Sequence, residues 1–493
     1  MSKSEVATNP AAQKAMDVEF EKLRTKTHPK LKVPGCWDEK LVEEMSSVKA
    51  LARKQNKTMH FGKVFGICVE KGSELKVGDV HRKFKGRYVF QGNDVRGQNW
   101  EAAIFQELGS SPAAMEAGNS CDFYGLLPGN SSEQSDAEQA YCQTLLGGVE
   151  TWVSIPRERW PAEWVRLGYV KPVVPLRLAL YGHPDAGGYW EKHCEEHVKV
   201  GFERVAEWRS CFFHPVLKLF LVIYVDDFKL AGPTANLAKG WPHVMDLFLG
   251  CKHEETTQTS PWTGKKVRVL TYNMESFLED AVAKYMTLSG CGVLERVTTP
   301  FLEDYDPNAP TVNSQSAGAG ANGSAGKAVD NVGDGELKYC AASILMKVLY
   351  CARMCRYDLL HAIGRLACLV TKWDKHCDRM LHCLMCYINC TLHLRKVGWV
   401  GDDKADIGVH LYADADFAGD KRSGRSTSGG FLAMGGPDTF FPIQATSRKQ
   451  TAVSHSTPEA EIVAADLAVR TIGIPSLSLW DCLFERDVVC LFH

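Results

Sequence analysis

Apolar positions are sparse at the start of this chain. Over residues 1–60 they gather in one amphipathic stretch, "DEKLVEEMSSVKALARKQ", which predicts a helix inside an otherwise polar and charged segment. Between 61 and 305, short β-like runs ("GRYVFQG", "LKLFLVIYV", "KKVRVLTYNM") alternate with helical pieces such as "DAGGYWEKHCEEHVKVG". That alternation predicts an α+β domain. Residues 306–336 hold almost nothing that could enter a core, and their Gly, Ala, Ser and Asn content predicts a flexible linker. The next stretch, 337–400, is apolar and strongly helical. Beyond 401 the period switches to two. There "IGVHLYADADF", "GGFLAM" and "TFFPIQATS" predict three antiparallel strands joined by Gly-rich turns, followed by a helix from Pro458 and a closing strand, "DVVCLF".

Length and composition change this picture little. A chain of 493 residues, 45% hydrophobic and 24% charged with mean hydropathy −0.19, predicts two to four globular domains. No apolar stretch stands out as long enough to cross a bilayer, and the first twenty residues lack the apolar core of a secretory signal. An intracellular chain, cytoplasmic or nuclear, without a membrane partner is therefore expected. Its 18 cysteines are then expected as reduced thiols, and eight of them fall between Cys340 and Cys390. Cys383, Cys386 and Cys390 recur at helical spacing, and with Cys377 and His382 they read either as a zinc set or as the buried face of a helix. The stretch has no Gly or Pro to make a turn, which favours the buried face. Net charge is −2, so no global basic excess marks a nucleic-acid binder. A local basic patch runs from His81 to Arg96 and includes Lys85 and Arg87.

The chemistry concentrates in "LVIYVDDFKL", residues 221–230, where two adjacent carboxylates interrupt an apolar run. Val225 and Asp226 are predicted in a tight two-residue hairpin turn, so that Asp226 and Asp227 project from the end of a sheet. Joined by a third acid, such a pair can hold two divalent ions for in-line phosphoryl transfer. Standing alone, it is ordinary turn chemistry. Asp136, in "QSDAEQAYCQTLLGG", can supply the third acid or simply cap a helix.

Taken together, these segments resemble a family. "YVDD" after four apolar residues, with "DAEQAY" upstream, is similar to the catalytic core of a reverse transcriptase, specifically of Ty1/copia-type long-terminal-repeat retrotransposon polyproteins. "KGRYVFQG", "PLRLALYGHPDAGGYW" and "FKLAGP" are similar to further segments of that family, in its order. "YCAASILMKVLYCARMCRYDLLHAIGRLACLV" resembles its helical connection, and "LYADADFAGDKRSGRSTSGGFL" with "STPEAEIVAADLA" resembles its ribonuclease H. The likeness covers about residues 61–490.

The resemblance implies an α+β fold: reverse-transcriptase fingers and palm (61–305), a helical connection (337–400) and an incomplete ribonuclease H-like α/β domain (401–493). It implies RNA-directed DNA polymerisation by two-metal nucleotidyl transfer, with an RNA or DNA template, its primer and deoxynucleoside triphosphates as partners. Asp136, Asp226 and Asp227 would be the catalytic acids that hold Mg²⁺ (or Mn²⁺). Lys85 and Arg87 would grip the triphosphate, Tyr141 would pack under the sugar and exclude a 2′-hydroxyl, and Tyr224 would lie near the primer terminus. Asp185 stands where the family usually has Gln, and an acid there would repel a triphosphate unless it is paired or turned away. In the C-terminal part the family's acids match Asp414, with Asp416 facing the same side, and Glu459, whose place after Ser456-Thr457-Pro458 also suits helix capping. The next family acid would fall where His493 ends the sequence, and Asp487 lies at the wrong end of the strand to replace it. Little hybrid cleavage is therefore expected. A catalytically dead nucleic-acid-binding remnant is the alternative, and a palm-fold nucleotidyl cyclase is disfavoured by the ribonuclease H-like tail.

Overall fold

The computed structural model describes residues 1–71, 82–105, 112–137, 139–198, 201–241, 252–301, 334–420 and 423–493. The linker expected over 306–336 lies outside the described residues up to 333.

Strands build three sheets. The N-terminal sheet runs β1 (Glu43–Glu44), β6 (Pro172–Pro175), β5 (Thr151–Ser154), β2 (His60–Lys71), β3 (Lys83–Phe90). The middle sheet runs β4 (Asn130–Asp136), β10 (Asp227–Pro233), β9 (Leu219–Tyr224), β8 (Cys211–His214), β7 (Glu203–Arg204), all antiparallel. The third sheet has seven strands: β11 (Lys252–Thr259), β12 (Lys266–Asn273), β13 (Lys396–Val400), β16 (Thr439–Lys449), β15 (Arg425–Gly436), β14 (Gly408–Asp420) and β17 (Cys490–Phe492). The helices, in chain order, are α1 (Lys3–Thr8), α2 (Pro10–Thr25), α3 (Met45–Lys54), α4 (Met115–Leu126), α5 (Ala162–Arg166), α6 (Ala186–Val198), α7 (Thr234–Gly240), α8 (Glu275–Ser289), α9 (Ala341–Met354), α10 (Leu360–Ala367), α11 (Lys375–Cys390), α12 (Thr457–Ala468) and α13 (Ile474–Phe484).

The first sixty residues do more than the sequence suggests. In α2, Ala12, Met16, Phe20 and Leu23 form one buried stripe at helical spacing, and it packs on β2 and β3 with Val64, Tyr88 and Phe90. Gly86 permits this approach, because a Cβ there would sit 2.7 Å from the Ala15 carbonyl. The N-terminal segment is therefore part of the first sheet's core.

In the middle sheet, β9 is buried on both faces, which explains why "LFLVI" does not alternate. Leu219, Leu221 and Ile223 pack with Leu230, Trp190 and Cys194 on the α6 side, while Phe220 and Val222 pack with Ala117, Cys121 and Phe123 of α4 on the other.

The seven-stranded sheet cuts across the boundaries drawn from sequence. Strands β11 and β12 precede the linker, yet β12 pairs with β13, as in Leu270↔Gly398 and Tyr272↔Lys396, and β13 reaches β16 at Trp399↔Phe440. Helix α4 joins this sheet to the middle one. Its Phe123 ring lies 5.6 Å from Phe441 and 5.2 Å from Trp480, and the Asn119 side-chain amide donates to the Ile443 carbonyl at 2.7 Å.

Two chemical expectations meet the structure here. The Cys-rich segment is one continuous helix, α11, with Cys377 and Cys386 buried, and all described cysteines are free. Cys383 and Cys390 turn instead to the backbone carbonyls of Thr299 and Glu295. The buried-face reading accounts for Cys377 and Cys386, while Cys383 and Cys390 are half-buried. The expectation that no stretch is long and apolar enough to cross a membrane is overturned: Thr457–Phe484 is a helical run of 28 residues in which an 18-residue window reaches a mean hydropathy of 1.5. Its Ala468, Ile472, Leu479, Trp480 and Leu483 are buried in the core that α4 shares.

Phe123→Ala removes the ring at this junction and is expected to destabilise the chain by about 3–5 kcal/mol. Phe65→Ala, on the exposed face of β2, should change stability by less than about 0.5 kcal/mol. Urea melts of the two variants check both values.

Candidate active site

The β9–β10 hairpin fixes the acid pair. Tyr224 and Asp227 are direct partners, which leaves Val225 and Asp226 as a two-residue turn, as the sequence predicts. Val225 sits at φ +60°, a left-handed conformation unfavourable for a β-branched residue. Such strain persists only where the surroundings enforce it. Here both turn carbonyls are held. The Trp190 indole N–H donates to the Val225 carbonyl at 2.5 Å, and the Ala137 amide donates to the Asp226 carbonyl at 2.7 Å.

Asp136 ends β4, and its position in the β4–β10 ladder is directly opposite Asp227. The helix-cap alternative for Asp136 does not hold. The residue is in a strand, and only a short 3₁₀ turn, Ala140–Gln143, follows it. All three acids thus meet at one end of the middle sheet. Burial pushes the half-buried Asp227 carboxyl up to about 6, and the charges of Asp226 and Asp136 add to the rise.

Two tyrosines face this corner. Tyr141, on the 3₁₀ turn, packs against Tyr181 with ring centroids 4.5 Å apart. Burial raises both hydroxyl pKa values, and the Asp226 charge raises them further. Tyr181 went unassigned in the sequence, although the "LYG" in which it stands was visible. Its backbone carbonyl accepts from the Phe90 amide at 2.7 Å, and Gly182, at φ +88°, leaves room where a Cβ would lie 2.2 Å from the Phe90 carbonyl. That contact pins the LYG loop to the end of β3.

Lys85 and Arg87 lie two apart on β3, opposite Val69 and Ile67, and therefore share the outward face of that strand. Burial lowers the Lys85 pKa; Lys71 and Arg87 lower it further, and the charge of Asp136 partly offsets them. The side chain is therefore within electrostatic reach of the acids. Arg87 is exposed, and Tyr224 is 46% exposed beside Asp227.

Asp185 is turned inward. It is buried just ahead of α6, its amide donates to His183 Nδ1 at 3.2 Å, and its charge acts on His183 and His60. Burial pushes His183 down to about 4 despite that acid.

The matched acids of the C-terminal sheet are arranged differently. Asp414 and Asp416 are exposed on β14, and Glu459 is exposed in the first turn of α12. The Glu459 carboxylate accepts from the His455 amide at 2.7 Å while its own amide donates to Ser456 Oγ at 3.3 Å, which is capping geometry.

As they stand, no three His, Cys, Asp or Glu side chains among the described residues are gathered closely enough to hold a metal ion. The acids at the end of the middle sheet nevertheless fit Mg²⁺ or Mn²⁺ chemically. Their donors are all carboxylate oxygens, and the Asp227 carboxyl, pushed up first by burial and then by the charges of Asp226 and Asp136, gains a counter-charge when a divalent cation binds.

No known family profile matches the chain. Over 303 residues, 59% of its length, the chain is 25% identical to the Retrovirus-related Pol polyprotein from transposon RE1 of Arabidopsis thaliana, and the match spans 18% of that protein. The chain is similar to part of a retrotransposon polyprotein.

Proposed function

We propose that this chain is an RNA-directed DNA polymerase of a copia-type retrotransposon, with a ribonuclease H-like C-terminal domain. The observation that carries this reading is the pairing of Asp136 opposite Asp227, with Asp226 in the strained turn beside them. Asp136, Asp226 and Asp227 would hold the divalent ions. Bound there, Mg²⁺ or Mn²⁺ lowers the pKa of a primer 3′-hydroxyl and neutralises charge on the triphosphate. Lys85 and Arg87 offer two cations on one strand face to the phosphates. The Tyr141 ring, backed by Tyr181, would form the floor for a deoxyribose and exclude a 2′-hydroxyl. Tyr224, exposed next to Asp227, is placed to meet a primer end. Because Asp185 is buried beside His183, it does not confront the triphosphate.

Primer extension on poly(rA)·oligo(dT) tests the reading. The expected result is Mg²⁺- or Mn²⁺-dependent extension that EDTA stops and that Asp226→Asn reduces by about 10²–10³-fold or more. Binding of the hybrid without extension under either metal would instead support the non-catalytic remnant.

The acid cluster also predicts a stability cost. The Asp227 pKa is raised from 3.8 to about 6, so the folded, metal-free chain holds this proton more tightly than the unfolded chain does. The stability the proton confers is present below about pH 4 and is lost as pH rises through about 6. Asp227→Asn, uncharged at every pH, should therefore raise the melting temperature in EDTA at pH 7.5 while it abolishes extension. A variant that melts below the parent at pH 7.5 would contradict this account.

A further inference from the structure

Strand β10 carries a buried cation two residues beyond Asp227. Lys229 lies on the same face of the strand as Asp227, is 9% exposed, and forms an ion pair with Asp122 of α4, itself 4% exposed. Its ammonium also reaches the Gly118 carbonyl at 3.4 Å. The other Asp122 oxygen accepts from the Tyr272 hydroxyl of β12 at 2.7 Å. The Lys396 ammonium of β13 lies 3.6 Å over the Tyr272 ring and donates to the Asn119 side chain at 2.9 Å. Asn119 donates in turn to the Ile443 carbonyl of β16 at 2.7 Å. An unbroken set of polar contacts therefore runs from the acid strand through α4 into three strands of the seven-stranded sheet.

Its location matters. A cavity of about 100 Å³ opens beside Asp227 and Lys229, with Gly118, Asn119, Asp122 and Tyr350 among its lining. Close packing does not fill this space; apolar contact on that face of β10 comes further along, at the buried Ala231, so around Lys229 the strand relies on its polar contacts. Buried ion pairs are costly to desolvate, and well-packed apolar residues of similar volume would often serve stability equally well. What the polar chain adds is direction: hydrogen bonds and an ion pair fix where the strand points.

We propose that Lys229, Asp122 and Tyr272 form a positioning device through which the seven-stranded sheet sets the orientation of the acid strand at Asp227. The C-terminal sheet then serves the acid site whether or not it cuts any nucleic acid. Lys229, Asp122 and Tyr272 act through Asp227 and touch no substrate. The kinetic part of this proposal rests on the polymerase reading; the structural part does not.

The test compares Tyr272→Phe, which removes one hydroxyl and leaves the ring in place, with Lys218→Gln. Lys218 makes a half-exposed ion pair with Glu485 and so links the middle sheet to the C-terminal region away from the acids. In the full chain, Tyr272→Phe is expected to lower kcat for extension about 5–20-fold with KM for the template–primer unchanged, the signature of misorientation rather than lost binding. Hydrogen exchange of residues 219–233 should quicken at least about 10-fold while exchange across β2 and β3 stays constant. Lys218→Gln should change neither readout. Lys229→Arg, which keeps the charge, should retain more activity than Lys229→Met. Parental kcat and parental exchange in Tyr272→Phe, or equal effects from Lys218→Gln, overturn the proposal. If the parent chain shows no extension, the polymerase reading fails, and the exchange comparison alone decides whether the sheet holds the strand.

Discussion

The antiparallel pairing of Asn130–Asp136 with Asp227–Pro233 constrains everything around it. In that ladder Asp136 and Asp227 are direct partners, an arrangement in which like charges destabilise a sheet, and the hairpin adds Asp226 one residue away. Stability for such a strand end has to come from elsewhere. Leu219–Ile223 of β9, buried throughout, supply apolar contact on both faces, and Trp190 and Ala137 fix the carbonyls of a turn whose first residue is strained. The acids are therefore the least stable part of a well-supported sheet. Sites built for charge chemistry commonly carry this imbalance.

Support from a distance explains the composition of the seven-stranded sheet. Its edge strand β11 and the neighbouring β12 come from chain that precedes the linker, and β13 comes from the end of the helical region. Tyr272 and Lys396, brought opposite each other by the β12–β13 register, both reach polar groups of α4, as do Arg268 of β12 and Gln444 of β16. A C-terminal unit folding on its own strands would present neither Tyr272 nor Lys396. Helix α4 is thus the common wall of two sheets: Phe123 faces the aromatic cluster of one, and Ala117 and Cys121 face the other.

The parts legible in sequence were those carried by local pattern. The hairpin around "VDD" followed from two apolar runs with room for only two residues between them. The shared face of Lys85 and Arg87 followed from the two-residue period of a strand. The three C-terminal strands emerged where that period was clean. Strand β4 did not, because "NSSEQSD" has no apolar alternation and becomes a strand only by pairing with β10. The composite sheet was illegible for a similar reason: pairing between segments about 130 residues apart leaves no mark on either segment's own period. The stripe in α2 and the long apolar run at Thr457–Phe484 were readable and were passed over. In the first case charged residues between the apolar ones masked the period. In the second the helix continues through a π turn beyond the point where its capped start drew attention.

Asp185 shows how a departure from a family pattern can be settled by local physics. Read along the chain, it sits near a triphosphate and invites repulsion. In the fold it directly precedes a helix of 13 residues, and its carbonyl accepts from the Tyr189 amide in the first turn. An acid at the head of a helix is favoured by the helix dipole. Burial keeps His183 neutral at neutral pH. Asp185 Oδ1 is buried without a hydrogen-bond partner, and the neutral imidazole beside it fills space between Phe90 and Phe105 rather than forming an ion pair. Phe90 is also the residue on which the LYG loop is pinned. The acid is therefore buried next to the pinned loop, and the charge felt by Asp227 comes from Asp226 and Asp136 rather than from it.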